Sequence, residues 1–221
     1  MELFELMKKR HSVRSYTDQR IEGETRNELL RCVEACNQES GLHIQACLDE
    51  PKAFDSIMAH YGKFENVKNY IAMVGPKGRD FEEKCGYYGE KLVLKAQELG
   101  LNTCWVAATY SKGKNASQID RNEKIYLVIA IGYGNTQGIP HKGKAFADVS
   151  KASGKLPEWY QKGIEAVLLA PTAVNQQKFV FSLSGNEVSV RALRGFYTRI
   201  DLGIVKYHFE AAAGKENFIW K

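Results

Sequence analysis

Arg10, Ser12 and Arg14 alternate along the segment Lys9-Arg10-His11-Ser12-Val13-Arg14-Ser15-Tyr16. In an extended chain alternate residues point the same way, so two guanidiniums and a hydroxyl would share one side. Arginine offers a planar fork of donors, and two such forks suit a dianionic phosphate. Taken alone, the segment reads more readily as a solvated basic turn after a short helix, the usual fate of short charge runs. A second small cluster, Lys142 with Lys144, also has the size to meet one phosphate rather than a polymer.

A different chemistry is available in Ala170-Pro171-Thr172-Ala173-Val174-Asn175-Gln176-Gln177. Asn and Gln amides donate and accept together, which matches the alternating edge of a flavin pyrimidine ring. A loop with a helix cap accounts for the same residues equally well. Two glycine-rich stretches are weaker signals. Gly132-Tyr133-Gly134-Asn135-Thr136-Gln137-Gly138 follows a strand, but its third glycine is one place late and Ile139-Pro140 stands where a helix should begin, leaving a pyrophosphate no helix terminus. Gly138 to Lys144 has the spacing of a phosphate loop, yet Ala145 occupies the position where Ser or Thr must ligate magnesium.

No Ser-His-Asp or paired-carboxylate pattern is present, so no catalytic side chain is assigned. Asp201 and His208 would share a face of the last helix and read as packing or capping groups. The histidines are scattered and none has ligand spacing with a cysteine, so no metal site is expected. Five cysteines without a Cys-x-x-Cys pair read as reduced thiols of a cytoplasmic protein. Cys32 and Cys36 fall on one helix face, where small core residues are a better reading than a redox pair.

At 221 residues, with 44% hydrophobic and 26% charged side chains, the chain can bury a core and still leave a cofactor cleft. The net charge of +5 is mixed with carboxylates along the sequence, unlike the basic stripe of a nucleic-acid binder. Met1 to Leu6 carries acidic residues and no secretory signal is expected. The longest apolar stretch, Tyr126 to Tyr133, is too short to cross a bilayer.

Periodicity and turn signals predict helices near Leu3–Lys9, 24–37, 52–60, 81–99, 157–169 and 200–213, and strands at His43–Leu48, Tyr70–Val74, Thr103–Ala107, Lys124–Ile131, Lys178–Leu183 and Glu187–Ala192. Gly100 suits a helix C-cap. Residues 132–156 read as loop. The pair Gly89 and Gly100, leading to Trp105, echoes Gly203 and Gly214, leading to Trp220. The echo predicts one domain over 1–221 built from two related halves, about 1–150 and 151–221.

Together these segments resemble the nitroreductase family of FMN-dependent oxidoreductases. Arg10, His11, Ser12 and Arg14 are similar to its opening phosphate-gripping signature, and Gly100-Leu101-Asn102-Thr103-Cys104-Trp105 to its Gly-Leu-Gly-x-x-Trp helix end. Ala170, Pro171, Thr172, Asn175 and Gln177 resemble its Ala-Pro-Ser-x-x-Asn-x-Gln segment. That segment normally follows the N-terminal signature, where this chain has only Cys36-Asn37-Gln38-Glu39-Ser40, so the chain looks like a rearranged branch.

The resemblance implies an α+β fold, one antiparallel-rich sheet wrapped by helices, with FMN in each interface cleft of a homodimer. It implies that Val106, Ala107 and Ala108 pass the flavin N5 edge, that Lys142 and Lys144 add phosphate contacts, and that Asn175 and Gln177 orient the ring. Gly86 and Gly89 would suit a helix pair at the dimer interface, or equally a packing need within one subunit. NAD(P)H would reduce the flavin, and a nitroaromatic, quinone or similar acceptor would reoxidise it by a ping-pong mechanism. A non-catalytic flavin-binding protein is the first alternative and a small basic nucleic-acid-binding protein the second. Neither nucleic acid nor membrane is expected as a partner.

Overall fold

A computed structural model describes residues 2–55 and 61–221. The chain divides into two compact units, one comprising Lys9–Phe81 and Lys91–Pro140, the other Met1–Lys8, Glu82–Glu90 and His141–Lys221. Among the described residues no helix is long and apolar enough to cross a membrane.

The first unit holds a four-stranded, fully antiparallel sheet, ordered β1 (Gln45–Cys47), β2 (Tyr70–Pro76), β4 (Glu123–Gly132), β3 (Asn102–Val106). The central strands are the continuous apolar runs. Tyr70 to Val74 are all 0% exposed, as expected of strands covered on both faces. Helix α2 (Gly23–Ser40) stops at Gly41, whose φ of 70° lets its N–H reach the Asn37 carbonyl at 2.9 Å. The Asn37 side chain then pairs with both backbone groups of Ile44, at 2.7 and 2.9 Å, and so sets the entry to β1. Pro51–Ala53 form a single 3₁₀ turn; the rest of the helix expected over 52–60 lies largely outside the described residues.

Helix α3 (Arg79–Glu98) contributes to both units. Gly100, with φ 78°, terminates it as expected: its N–H reaches the Gln97 carbonyl at 3.2 Å and Leu101 N–H reaches that of Ala96 at 2.9 Å.

The second unit is built around α1 (Leu3–Lys9), α4 (Phe146–Val149), α5 (Glu158–Val167), α6 (Thr198–Ala213) and a separate three-stranded sheet. There, β5 (Phe179–Ser184) and β6 (Glu187–Ala192) form an antiparallel hairpin, and β7 (Ile219–Trp220) joins β6 in parallel. The described residues therefore carry two sheets where one was expected. The hairpin pairs with itself across Gly185 and takes the C-terminal residues as its third strand. Phe209 is the hub of this core, 5.0 Å from the Phe218 ring and 5.1 Å from that of Phe181. Gly163 makes room for it, since a Cβ there would meet the Phe209 ring at 2.5 Å.

Gly86 on α3 and Gly203 on α6 let the two backbones touch. A Cβ on Gly86 would lie 1.9 Å from the Ile200 carbonyl, and one on Gly203 would lie 1.9 Å from that of Glu83. Of the two uses open to Gly86, the structure shows the packing need within one subunit. Three side-chain links cross the same contact: Lys206 with Glu83, Tyr87 with Glu210, and the fully buried His208 with Glu90 at 2.9 Å. Because Nδ1 of His208 faces the Ala166 carbonyl at 2.8 Å, it must carry a proton.

Candidate functional site

In the first unit, residues 10–17 run alongside the sheet. Ser12 bridges Thr103 on the outer strand β3, and Val13 N–H donates to the Thr103 carbonyl at 3.0 Å. Farther on, Tyr16 bridges Gly134 beyond the end of β4. Val13 and Tyr16 are buried, whereas Ser12 and Arg14 face solvent. Arg10 departs from the expected alternation: it is 3% exposed, because regular pairing starts only at Ser12.

Burial pushes the Cys104 thiol pKa up, while the Arg14 charge, a hydrogen bond with Ser12 and the Arg10 charge all oppose that rise. The Arg14 guanidinium also lies 5.9 Å from the Phe64 ring centroid, which holds its stem against apolar surface. At the far end of β3, Val106 is buried, Ala107 half-buried and Ala108 exposed.

The glycine-rich stretch after β4 serves this segment. A Cβ on Gly132 would meet the Tyr16 ring at 2.9 Å, and one on Gly138 would meet His11 Cβ at 2.7 Å. Asn102 fixes the same loop, accepting from Gly134 N–H at 3.0 Å and donating to Gln137 at 3.0 Å. Its glycines admit a second chain segment, which is why they imitate a nucleotide loop without having the helix that one needs.

Also in this unit, His43 Nδ1 lies 2.9 Å from Glu123 Oε2, and Asp120 N–H donates to the same oxygen at 3.0 Å. His43, Asp120 and Glu123 could together hold a metal ion. The 80-residue separation of His43 and Glu123 hides this group from a reading of spacing.

In the second unit, the two lysines and the Asn-Gln segment form one hydrogen-bonded cluster. Gln177 is 3% exposed. Its Oε1 accepts from Lys144 N–H at 2.9 Å, while Nε2 donates to the Lys142 carbonyl at 2.9 Å and to Asn175 Oδ1 at 2.8 Å. Lys144 Nζ returns to the Gln177 carbonyl at 2.8 Å, and Asn175 Nδ2 donates to the Lys142 carbonyl at 2.9 Å. Gln177 N–H donates to the Thr172 hydroxyl at 3.1 Å. Pro171 and Thr172 are half-buried, and the side chains of Lys142 and Asn175 reach solvent. The Gln177 amide is engaged within the loop.

Beneath this cluster lies Asp201, which the sequence reads as a packing or capping group and which caps the loop. Asp201 Oδ1 accepts from Ala173 N–H at 2.9 Å and Oδ2 from Gln176 Nε2 at 2.8 Å. The carboxylate is 3% exposed, and burial raises its pKa to about 6 despite both hydrogen bonds. It holds a backbone in which Val174, Asn175 and Gln177 have φ of 45°, 55° and 45°. For a β-branched residue such as Val174 that is a strained conformation.

Residues 2–213 match the family described as "Putative TM nitroreductase". The chain belongs to the nitroreductase family. A "putative nitroreductase" from Thermotoga maritima MSB8 superposes with a TM-score of 0.70 at 22% identity, over 96% of this chain and 83% of that one. A "putative nitroreductase in complex with FMN" from Desulfovibrio desulfuricans gives 0.54 at 17% identity, over 70% and 98%. A "Putative NADH dehydrogenase/NAD(P)H nitroreductase" from Bacteroides thetaiotaomicron VPI-5482 gives 0.52 at 19%, over 66% and 95%. At these identities the likeness is one of fold. No curated protein matches the chain significantly.

Proposed function

We propose that this nitroreductase-family chain is a cytoplasmic, homodimeric FMN-dependent oxidoreductase. It takes electrons from NAD(P)H and passes them to a small acceptor such as a nitroaromatic or quinone, in ping-pong order. The observation that carries the reading is the segment of Arg10, Ser12 and Arg14 laid along β3, tied to it by the Ser12–Thr103 bridge and by Val13 N–H on the Thr103 carbonyl at 3.0 Å. This donor set fits a phosphate: two fixed cations and a hydroxyl on a segment, Lys9 to Tyr16, that contains no carboxylate.

Arg14, at the surface, would bind the phosphate bidentately, while buried Arg10 supplies positive charge that water screens less. The pairing of Ser12 and Val13 with Thr103 sets both arginines in register with β3. The small side chains of Ala107 and Ala108 leave the end of that strand open to a flat ring. In the other unit, Lys142 is the exposed cation available to an anion, and Gln177 positions its backbone. Asn175 keeps an exposed amide that can meet a ring edge. FMN, when bound, supplies the two-electron chemistry that no side chain here offers.

The test begins with the visible spectrum of the purified protein, followed by FMN titration of the Arg10→Ala/Arg14→Ala double variant. Loss of two charge-assisted hydrogen-bonding groups should weaken FMN binding by about 100-fold or more. Unchanged affinity would show that the phosphate is held elsewhere. Lys142→Ala is the parallel measurement for the other cluster. NAD(P)H consumption with added acceptors separates an enzyme from a flavin carrier, and sedimentation gives the oligomeric state.

A further inference from the structure

His43, Asp120 and Glu123 bring three donor groups together from two distant stretches of the first unit. His43 N–H donates to the Val74 carbonyl at 2.9 Å, just before β1, and Glu123 opens β4 opposite Pro76. The two side chains approach the same end of β2 from opposite sides, and His43 Nδ1 meets Glu123 Oε2 at 2.9 Å. Asp120 joins them through a reciprocal turn. Its N–H donates to Glu123 Oε2 at 3.0 Å, and its carbonyl accepts from Glu123 N–H at 2.9 Å. Gln45 holds the loop that carries Asp120, since its amide pairs with both backbone groups of Gln118 at 2.7 and 2.8 Å. Among the described residues no lysine or arginine pairs with either carboxylate. The flanking ammoniums turn elsewhere: Lys77 Nζ reaches the Arg121 carbonyl at 3.5 Å, and Lys124 lies over the Tyr126 ring at 4.1 Å. The Glu123 side chain is 14% exposed and that of His43 37%, while Asp120 is at the surface, so the group is open to water on one side.

We propose that His43, Asp120 and Glu123 bind a divalent transition ion of the zinc class. One imidazole nitrogen and two carboxylate oxygens, without a thiolate, suit zinc and its neighbours. Calcium and magnesium prefer oxygen alone. The three donors lie within 4.8 Å of one another. Around zinc, at about 2.1 Å from each, they would stand about 3.4 Å apart. The Asp120 carboxylate, free to turn at the surface, then swings in by roughly 1.4 Å, and the His43–Glu123 pair opens by roughly 0.5 Å. The hydrogen between Nδ1 and Oε2 leaves Nδ1, which binds as a neutral imidazole. Asp120 N–H becomes the outer hydrogen bond that orients the Glu123 carboxylate, and water takes the fourth position. The ion ties the entry of β1 to the start of β4, residues 80 apart in the chain, and clips that close long loops restrain the unfolded chain most.

The probe is zinc chloride with the full-length, tag-free protein after treatment with chelator, followed by calorimetry and thermal unfolding. One zinc should bind per chain and raise Tm, whereas magnesium and calcium at the same concentration should leave Tm unchanged. His43→Ala and Asp120→Ala should each weaken zinc binding by about 100-fold or more, because even outer partners of a ligand are worth about 10–100-fold. Cobalt in place of zinc should give the visible absorption of a four-coordinate site in the parent and lose it in both variants. Should His43→Ala not fold, Asp120→Ala decides, since the surface carboxylate is removed and the backbone turn is kept. Failure to bind zinc, equal zinc affinity in Asp120→Ala, or magnesium bound as tightly as zinc each overturns the proposal. None of these readouts involves flavin, so the result is independent of the phosphate assignment.

Discussion

Replacing Gly203 by alanine sets two effects of opposite sign against each other. In an isolated helix the change is worth about 1 kcal/mol in favour of folding. In this fold the new methyl would sit 1.9 Å from the Glu83 carbonyl oxygen and 2.6 Å from Tyr87 N, both backbone atoms of α3 that no rotamer change can move. An ordinary carbon–oxygen contact is about 3.3 Å, so the α3–α6 crossing must open by roughly 1.4 Å. Overpacking of this kind costs about 1–3 kcal/mol. The same shift stretches the buried His208–Glu90 hydrogen bond from 2.9 Å to beyond bonding distance, and breaking a buried pair costs about 3–5 kcal/mol in full. Packing should therefore win by at least ~2 kcal/mol, a fall in Tm of about 4–8 °C for a chain of this length. Gly86→Ala, which meets the Ile200 carbonyl at 1.9 Å, should behave alike. Urea unfolding of both variants, with the m-value as a control for compactness, is the measurement. Stability equal to the parent, or higher by the propensity increment, would refute the argument.

Glu90→Gln should be tolerated within ~1.5 kcal/mol, because a side-chain amide can accept from or donate to His208 Nε2, while Glu90→Ala should cost about 3–5 kcal/mol; equal losses in urea unfolding would contradict this assignment. Asp201 should make stability fall as pH rises. Its carboxyl releases a proton at 3.8 when unfolded and at about 6 in the fold, so between those values the native state binds more protons. The contribution is fully present below about pH 4 and lost by about pH 6, up to ~3 kcal/mol in all. Asp201→Asn should flatten that slope, and an unchanged slope would rule Asp201 out. Val174, with φ 45° and 81% exposed, should gain about 1 kcal/mol of stability on change to glycine; thermal unfolding that shows no gain would mean the loop is not strained there.

What could be read from the sequence was whatever depends on neighbours in the chain. The apolar runs of β2 and β4, the αL position at Gly100 and the hairpin of β5 and β6 are local. The Gly86–Gly203 crossing and the Glu90–His208 pair, the latter 118 residues apart, have no local signal. Strand β7 is two residues long, too short for any alternation to show. In residues 10–14, spacing placed Ser12 and Arg14 on one face, but Arg10 precedes the first bridge to β3, where a period of two does not yet apply.

The Asn-Gln segment shows why residue type alone cannot separate a ligand contact from a scaffold. A pyrimidine edge and a peptide backbone present the same groups, N–H beside C=O, so an amide chosen for one is equally suited to the other. Gln177 meets the backbone of Lys142 and Lys144, and Asn37 meets that of Ile44 in the same manner. The Gln177 amide is 3% exposed with its oxygen and nitrogen both engaged, and so it shapes the loop. Three residues at positive φ, tied down by Asp201 below and by the lysine segment alongside, form a loop whose conformation is set before any ligand arrives.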